Sequence, residues 1–212
     1  MKTVRILLLV TGLMMILFLL TGCEGNTKGE TAMQRCGIAP QSKKSANKDR
    51  GKSEQKEEDS KAALPDIRSF TAQTLTGETF TEKDLAGYDL TMINIWQTFC
   101  DPCIVEMPDL AELADTVPDR VQLVTWCLDA PGQEDLAKEI QADAGFTKPT
   151  IVSGDGDLSE LGRALMYTPT TVLVDSQGKM VGEPLIGAQK DPVKDYTDYI
   201  NQALKAIGKD AI

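Results

Sequence analysis

An apolar run, then two cysteines three residues apart, then a helical pattern occupy residues 90–113, and that order leaves few folds open. Leu90 to Trp96 is short, apolar and partly β-branched, the composition of a buried strand. After Cys103, the residues Val105, Met107, Leu110 and Leu113 recur at helical spacing, so Cys100 sits where a helix begins. There, unpaired backbone N–H groups and the positive end of the helix dipole stabilise a thiolate. Cys100 is therefore the expected nucleophile. Cys103, one turn further in, is placed to attack a mixed disulfide formed at Cys100, releasing the reduced partner and leaving an intramolecular disulfide.

The same spacing makes half of a zinc site, and a following His would make a haem attachment site. The chain has no histidine, no second Cys-x-x-Cys, and Ile104 after Cys103, so no metal and no other cofactor is expected.

Around this unit, Phe70 to Phe80 alternates about Thr76-Gly77-Glu78 as a short hairpin does. Val121–Cys127 reads as a second strand, and Gln133–Ala144, with Leu136, Ile140 and Ala144 on one face, as a crossover helix. Strand, helix and strand in succession imply parallel pairing. Asp155 and Asp157 lack the ligand spacing and closing Glu of a calcium loop and read as a turn. Thr170–Val174 is a strand, Ser176-Gln177-Gly178 a tight turn, and Met180–Leu185 the antiparallel partner. Pro192–Ile207 closes the chain as a helix, with Val193, Tyr196, Ile200, Leu204 and Ile207 at helical spacing.

The N-terminus carries Lys2 and Arg5, an apolar run from Ile6 to Leu20, then Leu20-Thr21-Gly22-Cys23, which reads as a lipoprotein signal peptide over 1–22 with Cys23 lipidated. Residues 23–64 are rich in Lys, Glu, Ser, Gln and Gly and poor in large apolar side chains, so they read as a flexible charged tether. Cys36 lies in it with no evident partner. Residues 65–212 are long enough for one domain with a sizeable core. That domain has 11 Lys and Arg against 25 Asp and Glu, a net charge of −14, which argues against nucleic acid as a partner.

The run Trp96-x-x-x-Cys100-x-Pro102-Cys103-x-x-Glu106-x-Pro108 resembles the active-site signature of TlpA/ResA-type thiol-disulfide oxidoreductases of the thioredoxin superfamily, and the resemblance extends from about Leu64 to the C-terminus. It implies an α/β thioredoxin fold, a central mixed sheet flanked by helices, with an added N-terminal β-hairpin. It also implies a cis peptide at Pro169, beside the cysteines, with the Thr168 backbone pairing to an extended substrate segment. Glu106, three residues after Cys103 on the same helical face, is the expected partner for the Cys103 proton. Trp96 is expected next to the cysteines on the substrate side, and Pro108 within the helix as a shape-determining residue. Cys127 ends the strand expected beside the one leading to Cys100, so it is either a thiol near the site or an inert buried cysteine, the latter being the favoured reading.

The expected activity is that of a protein disulfide reductase lipid-anchored through Cys23 on the extracytoplasmic face of a bacterial membrane. It would draw electrons from a membrane thiol carrier and deliver them to exported disulfide-containing clients. Asp101 between the cysteines disfavours a stabilised thiolate and hence a strongly oxidising couple. Two alternatives stand beside this. A peroxiredoxin-like peroxidase would need proline and threonine where Ile93 and Gln97 stand. A non-enzymatic lipoprotein binding module would use the disulfide only as a staple.

Overall fold

The computed structural model describes residues 63–212. The signal peptide, Cys23, Cys36 and all but the last residues of the tether lie outside them.

The chain forms strands β1 (Thr71–Thr74), β2 (Thr79–Thr81), β3 (Leu90–Trp96), β4 (Val121–Cys127), β5 (Thr150–Gly154), β6 (Thr170–Asp175) and β7 (Leu185–Ile186). The helices are α1 (Asp101–Thr116), α2 (Glu134–Ala144), α3 (Gly156–Ala164) and α4 (Pro192–Ala206). All seven strands share one mixed sheet in the order β2-β1-β5-β4-β3-β6-β7. Strand β3 lies near its middle, parallel to β4 and antiparallel to β6. Every residue of β3 is buried, as its unbroken apolar run requires. Strands β1 and β2 pair antiparallel as the hairpin, and β1 joins the sheet edge along β5.

Alternation along the strands divides the core between the two faces of the sheet. Leu90, Met92 and Trp96 of β3 pack with Met107, Leu110 and Leu113 of α1, Ala137 of α2 and Ile200 and Leu204 of α4. Ile93 and Ile95 face the other way, toward Leu158 and Leu161 of α3 and toward Ile67, Phe70 and Phe80 of the N-terminal segment. Asn94 lies in the first of these alternations, so its polar side chain is carried beneath α1 and α4.

The structure departs from the sequence reading in four places. The turn expected at Asp155 and Asp157 begins a helix instead. Asp155 is its N-cap residue, Asp157 accepts from the N–H groups of Arg68 and Ser69 at 2.7 and 2.8 Å, and Asp155 accepts from the Thr71 N–H at 2.8 Å. These carboxylates pin the N-terminal segment to the sheet, which explains acidic residues at a helix start without any ion. Strand β5 before that helix has no counterpart in the sequence reading, because Thr150–Gly154 ends in Ser153 and Gly154 and lacks the apolar run that marks a strand. Met180–Leu185 is not one strand: Met180 makes a single bridge to Val174, and only Leu185–Ile186 pairs with β6. Val105 and Leu136 point outward, at 76% and 42% exposure, so the inward faces of α1 and α2 are rotated from those the apolar residues suggested. In α1 the buried set is Cys103, Glu106, Met107, Leu110, Leu113 and Ala114, and in α2 it is Ala137 and Gln141. Gln141 is held there by hydrogen bonds to Thr125 and Thr150.

Candidate active site

Strand β3 ends at Trp96, and the loop Gln97–Phe99 delivers the chain to Cys100, the N-cap residue of α1. Cys100 and Cys103 are joined by a disulfide, with S–S 2.07 Å and Cα atoms 5.3 Å apart. Cys100 retains 9% exposure and Cys103 none, so a partner reaches the first sulfur before the second. The N–H groups of Cys103 and Ile104 both point to the Cys100 carbonyl, which closes the first turn of the helix under the disulfide. Pro102 occupies the first turn, where a missing N–H breaks no helical bond. Pro108 lies inside α1, and the helix continues through it to Thr116.

The approach loop is braced by a residue the sequence did not single out. Asp129, just beyond β4, accepts from the Thr98 N–H at 2.9 and 3.1 Å and from the Thr98 hydroxyl at 2.5 Å. It also accepts the Cys127 thiol at 3.3 Å. Burial works against its charge, but the two Thr98 donors and the thiol outweigh it and hold the carboxyl below its usual range. Cys127 is a buried free cysteine beside this carboxylate; burial first, then Asp129, pushes its thiol well up. A thiol so held stays protonated and is a poor nucleophile.

Pro169 follows a cis peptide bond after Thr168, at the head of β6. The Thr168 hydroxyl donates to Gln97 Oε1 at 3.2 Å, tying this loop to the one that leads to Cys100. The Pro169 carbonyl is taken by the Gly187 N–H, whereas no backbone group among the described residues pairs with the N–H or C=O of Thr168. Tyr167 and Met166 just before it are exposed, as is Phe99 just before Cys100. An apolar recess of about 270 Å³ opens alongside, lined by Leu165, Met166, Tyr167, Pro184 and Ile186.

Trp96 does not stand where a substrate would meet it. It is fully buried, with its indole N–H unpaired, in the same core that holds both cysteines. It is a wall behind the disulfide, and the exposed aromatic side chains flanking the site are Phe99 and Tyr167.

Glu106 is 2% exposed on the inward face of α1, the face that also carries Cys103. Its carboxylate receives Asn94 Nδ2 at 2.9 Å and the Tyr196 hydroxyl at 3.2 and 3.3 Å. Thr171 joins this group, bonded to both Asn94 and Tyr196. Burial dominates and raises the Glu106 carboxyl above its ordinary value, despite the donors from Asn94, Tyr196 and the Gln189 backbone. Tyr196 is pushed up by burial and by the Glu106 charge, so its phenol stays protonated. A buried carboxyl that holds its proton more tightly than usual and lies one helical turn from a cysteine is equipped to exchange a proton with it. Asn94 and Tyr196 were missed because a lone polar residue in an apolar strand and a tyrosine on an amphipathic helix carry no pattern of their own. Among the described residues no cluster of His, Cys, Asp and Glu is arranged to hold a metal ion.

The chain matches the AhpC/TSA family model over residues 63–182. It is 30% identical over 131 residues to the thiol-disulfide oxidoreductase ResA of Bacillus thuringiensis strain Al Hakam, covering 60% of this chain and 72% of that one. It is 29% identical over 112 residues to the thioredoxin-like protein YneN of Bacillus subtilis, covering 51% of this chain and 63% of that one. Its fold is that of a thioredoxin-family thiol:disulfide interchange protein from Chlorobium tepidum, with TM-score 0.54, 23% identity and coverage of 68% and 98%. With more than half its length matched and a paired Cys100 and Cys103 at the head of α1, the chain belongs to the thioredoxin-like AhpC/TSA family and is, like its ResA relatives, a thiol-disulfide oxidoreductase.

Proposed function

We propose that this oxidoreductase is membrane-tethered, works outside the cytoplasm, and reduces disulfides in exported proteins. The observation that carries the reading is the Cys100–Cys103 disulfide at a helix N-terminus, with Cys100 the more accessible sulfur. Reduced Cys100 attacks the client disulfide as a thiolate, and Cys103 resolves the resulting mixed disulfide. Glu106 accepts the Cys103 proton as that sulfur becomes the attacking group. The unpaired N–H and C=O of Thr168 receive an extended client segment as an added strand, and the Thr168 hydroxyl, bonded to Gln97, ties the Thr168-Pro169 loop to the one that leads to Cys100. The exchange needs no cofactor.

The reductive direction is supported by Asp101, whose charge beside Cys100 works against thiolate stabilisation and hence against a strong oxidant. Electrons then come from a membrane thiol carrier. Tethering rests on the signal-like start, Cys23 and the polar segment 23–64 ahead of the domain 65–212. Clients of suitable chemistry include apocytochrome c, methionine sulfoxide reductase and misoxidised exported proteins. A peroxidase is less well supported, since Ile93 and Gln97 stand where its motif requires proline and threonine, and Gln97 is engaged by Thr168.

The test is capture from intact cells. Cys103→Ser should accumulate mixed disulfides at Cys100, because attack needs only the accessible sulfur while release needs the second. Cys100→Ser should trap little. Equal trapping by both would overturn the assigned roles, and no trapping by either would favour a structural disulfide. Mass spectrometry of the membrane fraction should show a mature chain beginning at lipidated Cys23; an intact Met1 to Gly22 would sink the lipoprotein claim.

A further inference from the structure

The buried group around Glu106 contains one mismatch. Asn94 is fully buried, and its Nδ2 faces three acceptors: Glu106 Oε1 at 2.9 Å, Thr171 Oγ1 at 3.0 Å and the Tyr196 hydroxyl at 3.4 Å. Its Oδ1 is buried and has no partner. A primary amide has two donors at one end and an acceptor at the other, and a half-turn about its Cβ–Cγ bond exchanges them. Thr171 and Tyr196 end in hydroxyls, which donate or accept as the amide requires. Neither amide orientation pairs both ends within this pocket. The choice between them therefore falls to Glu106, because a carboxylate demands a donor and a carboxylic acid supplies one.

We propose that the Asn94 amide turns over with the proton on Glu106, donating to the carboxylate and accepting from the acid, so that Glu106 takes up and returns the Cys103 proton with a matched partner in both states. The inference rests on the reading of Glu106 as proton acceptor for Cys103. In the resolving step the Cys103 S–H proton passes to the Glu106 carboxylate, and the Cys103 thiolate attacks the Cys100 sulfur of the mixed disulfide. The Cys100–Cys103 bond forms, the Cys100–client bond breaks, and the client sulfur leaves as a thiolate. As the carboxyl becomes an acid its O–H needs an acceptor, and the turned amide presents Oδ1 to it. Asn94 is thus a positioning residue, acting on sulfur through Glu106.

The pocket is otherwise poor in charge. Asn94 faces Glu106 from β3, Tyr196 from α4 and the Gln189 N–H from the segment before α4, with Thr171 of β6 behind Asn94 and Tyr196. On α1 itself the titratable neighbours are Cys103 and Asp109, whose charge opposes that of Glu106. Tyr196 stays a neutral phenol, so the proton that moves is shared between Glu106 and the cysteines.

The experiment is a pH titration of the reduced protein by carbon-13 and nitrogen-15 NMR, reading the Glu106 carboxyl carbon together with the Asn94 side-chain carbonyl carbon and amide nitrogen. Both Asn94 signals should move with the Glu106 midpoint, the carbonyl shifting as it gains a hydrogen bond. In Asn94→Leu, which keeps the volume and removes both donor and acceptor, the ionised form loses the stronger bond. The Glu106 ionisation constant should fall about tenfold, one pH unit, and the pH profile of Cys103 resolution should shift with it. Asn94→Ser gives the same reading with a smaller shift if the leucine variant does not fold. An Asn94 carbonyl that ignores the Glu106 titration, or a Glu106 midpoint unchanged in a folded variant, overturns the proposal. Glu106→Gln separates the two layers: a resolution profile identical to wild type would overturn the proton-acceptor role itself, whatever the amide does.

Discussion

The Asp129 carboxylate grips Thr98 twice, through its backbone N–H and its hydroxyl, two residues before Cys100. The brace runs from the end of β4 to the loop leaving β3, so neighbouring strands of the sheet set where α1 begins. Asp129→Ala would leave the Thr98 N–H and the Cys127 thiol without their acceptor. Hydrogen bonds to a charged group are worth about 1.5–3 kcal/mol each, so the variant should lose about 2–3 kcal/mol in urea unfolding. Because the carboxyl lies below its usual value of 3.8 in the folded protein, the wild type should lose this contribution as pH falls through that region, and the variant should show less acid sensitivity. The loosened loop should also slow exchange at Cys100 by about tenfold or more, as small misplacements of reacting groups do. Wild-type kinetics and stability would remove Asp129 from the site.

Glu106 has the opposite linkage. Its carboxyl is raised above 4.5 in the folded protein, so the folded state holds the proton more tightly and stability declines as pH rises from about that value through the folded one. The buried charge is a liability wherever the carboxyl ionises. Glu106→Gln should therefore melt above wild type at pH 7 to 8, with the gain narrowing toward pH 4, while resolution at Cys103 slows. Differential scanning calorimetry across that range is the check, and a variant less stable at pH 8 than at pH 4 relative to wild type would contradict it.

Equilibration of the Cys100–Cys103 couple with glutathione should give a potential nearer to thioredoxin, about −270 mV, than to a strong oxidant at about −120 mV. A value above about −180 mV would reverse the assigned direction of electron flow. Asp101→His should raise the potential, since it replaces a charge that opposes the thiolate with one that supports it.

Gly178 should tolerate no side chain. It has φ +73°, its carbonyl accepts the Ile67 N–H at 2.7 Å, and a Cβ would stand 2.2 Å from the Ile67 carbonyl oxygen. The conformation alone costs a non-glycine residue about 1–3 kcal/mol, before the clash with backbone is counted. Gly178→Ala should lower the melting temperature and free the segment at Ile67–Phe70 to protease, leaving the disulfide chemistry of any folded fraction intact. Gly77→Ala, where a Cβ meets nothing within 4 Å, is the control for φ > 0 without a clash.

The local sequence determined the unit around the cysteine pair because its physics is local. An apolar strand, a Cys-x-x-Cys and a helical repeat lie within about two dozen residues, and the spacing of Cys100, Cys103 and Glu106 on one helix needs no distant information. The cis peptide at Pro169 was also legible, through the resemblance of Tyr167-Thr168-Pro169-Thr170 to a known site. The environment that gives those residues their properties was decided elsewhere in the chain. Asn94 and Tyr196 reach Glu106 across 12 and 90 residues of sequence, Thr171 reaches Asn94 across 77, and Asp129 reaches Thr98 across 31. Each pairing depends on strand order and on which face of β3 or β6 a residue happens to occupy. The same dependence turned Val105 outward and Trp96 fully inward, and made Asp155 and Asp157 the clasp of the N-terminal segment. Hydrophobic period marks which face of an element is buried only approximately. Which polar groups meet on that face is set when the elements pack, since a buried donor or acceptor takes whatever partner the sheet brings within reach.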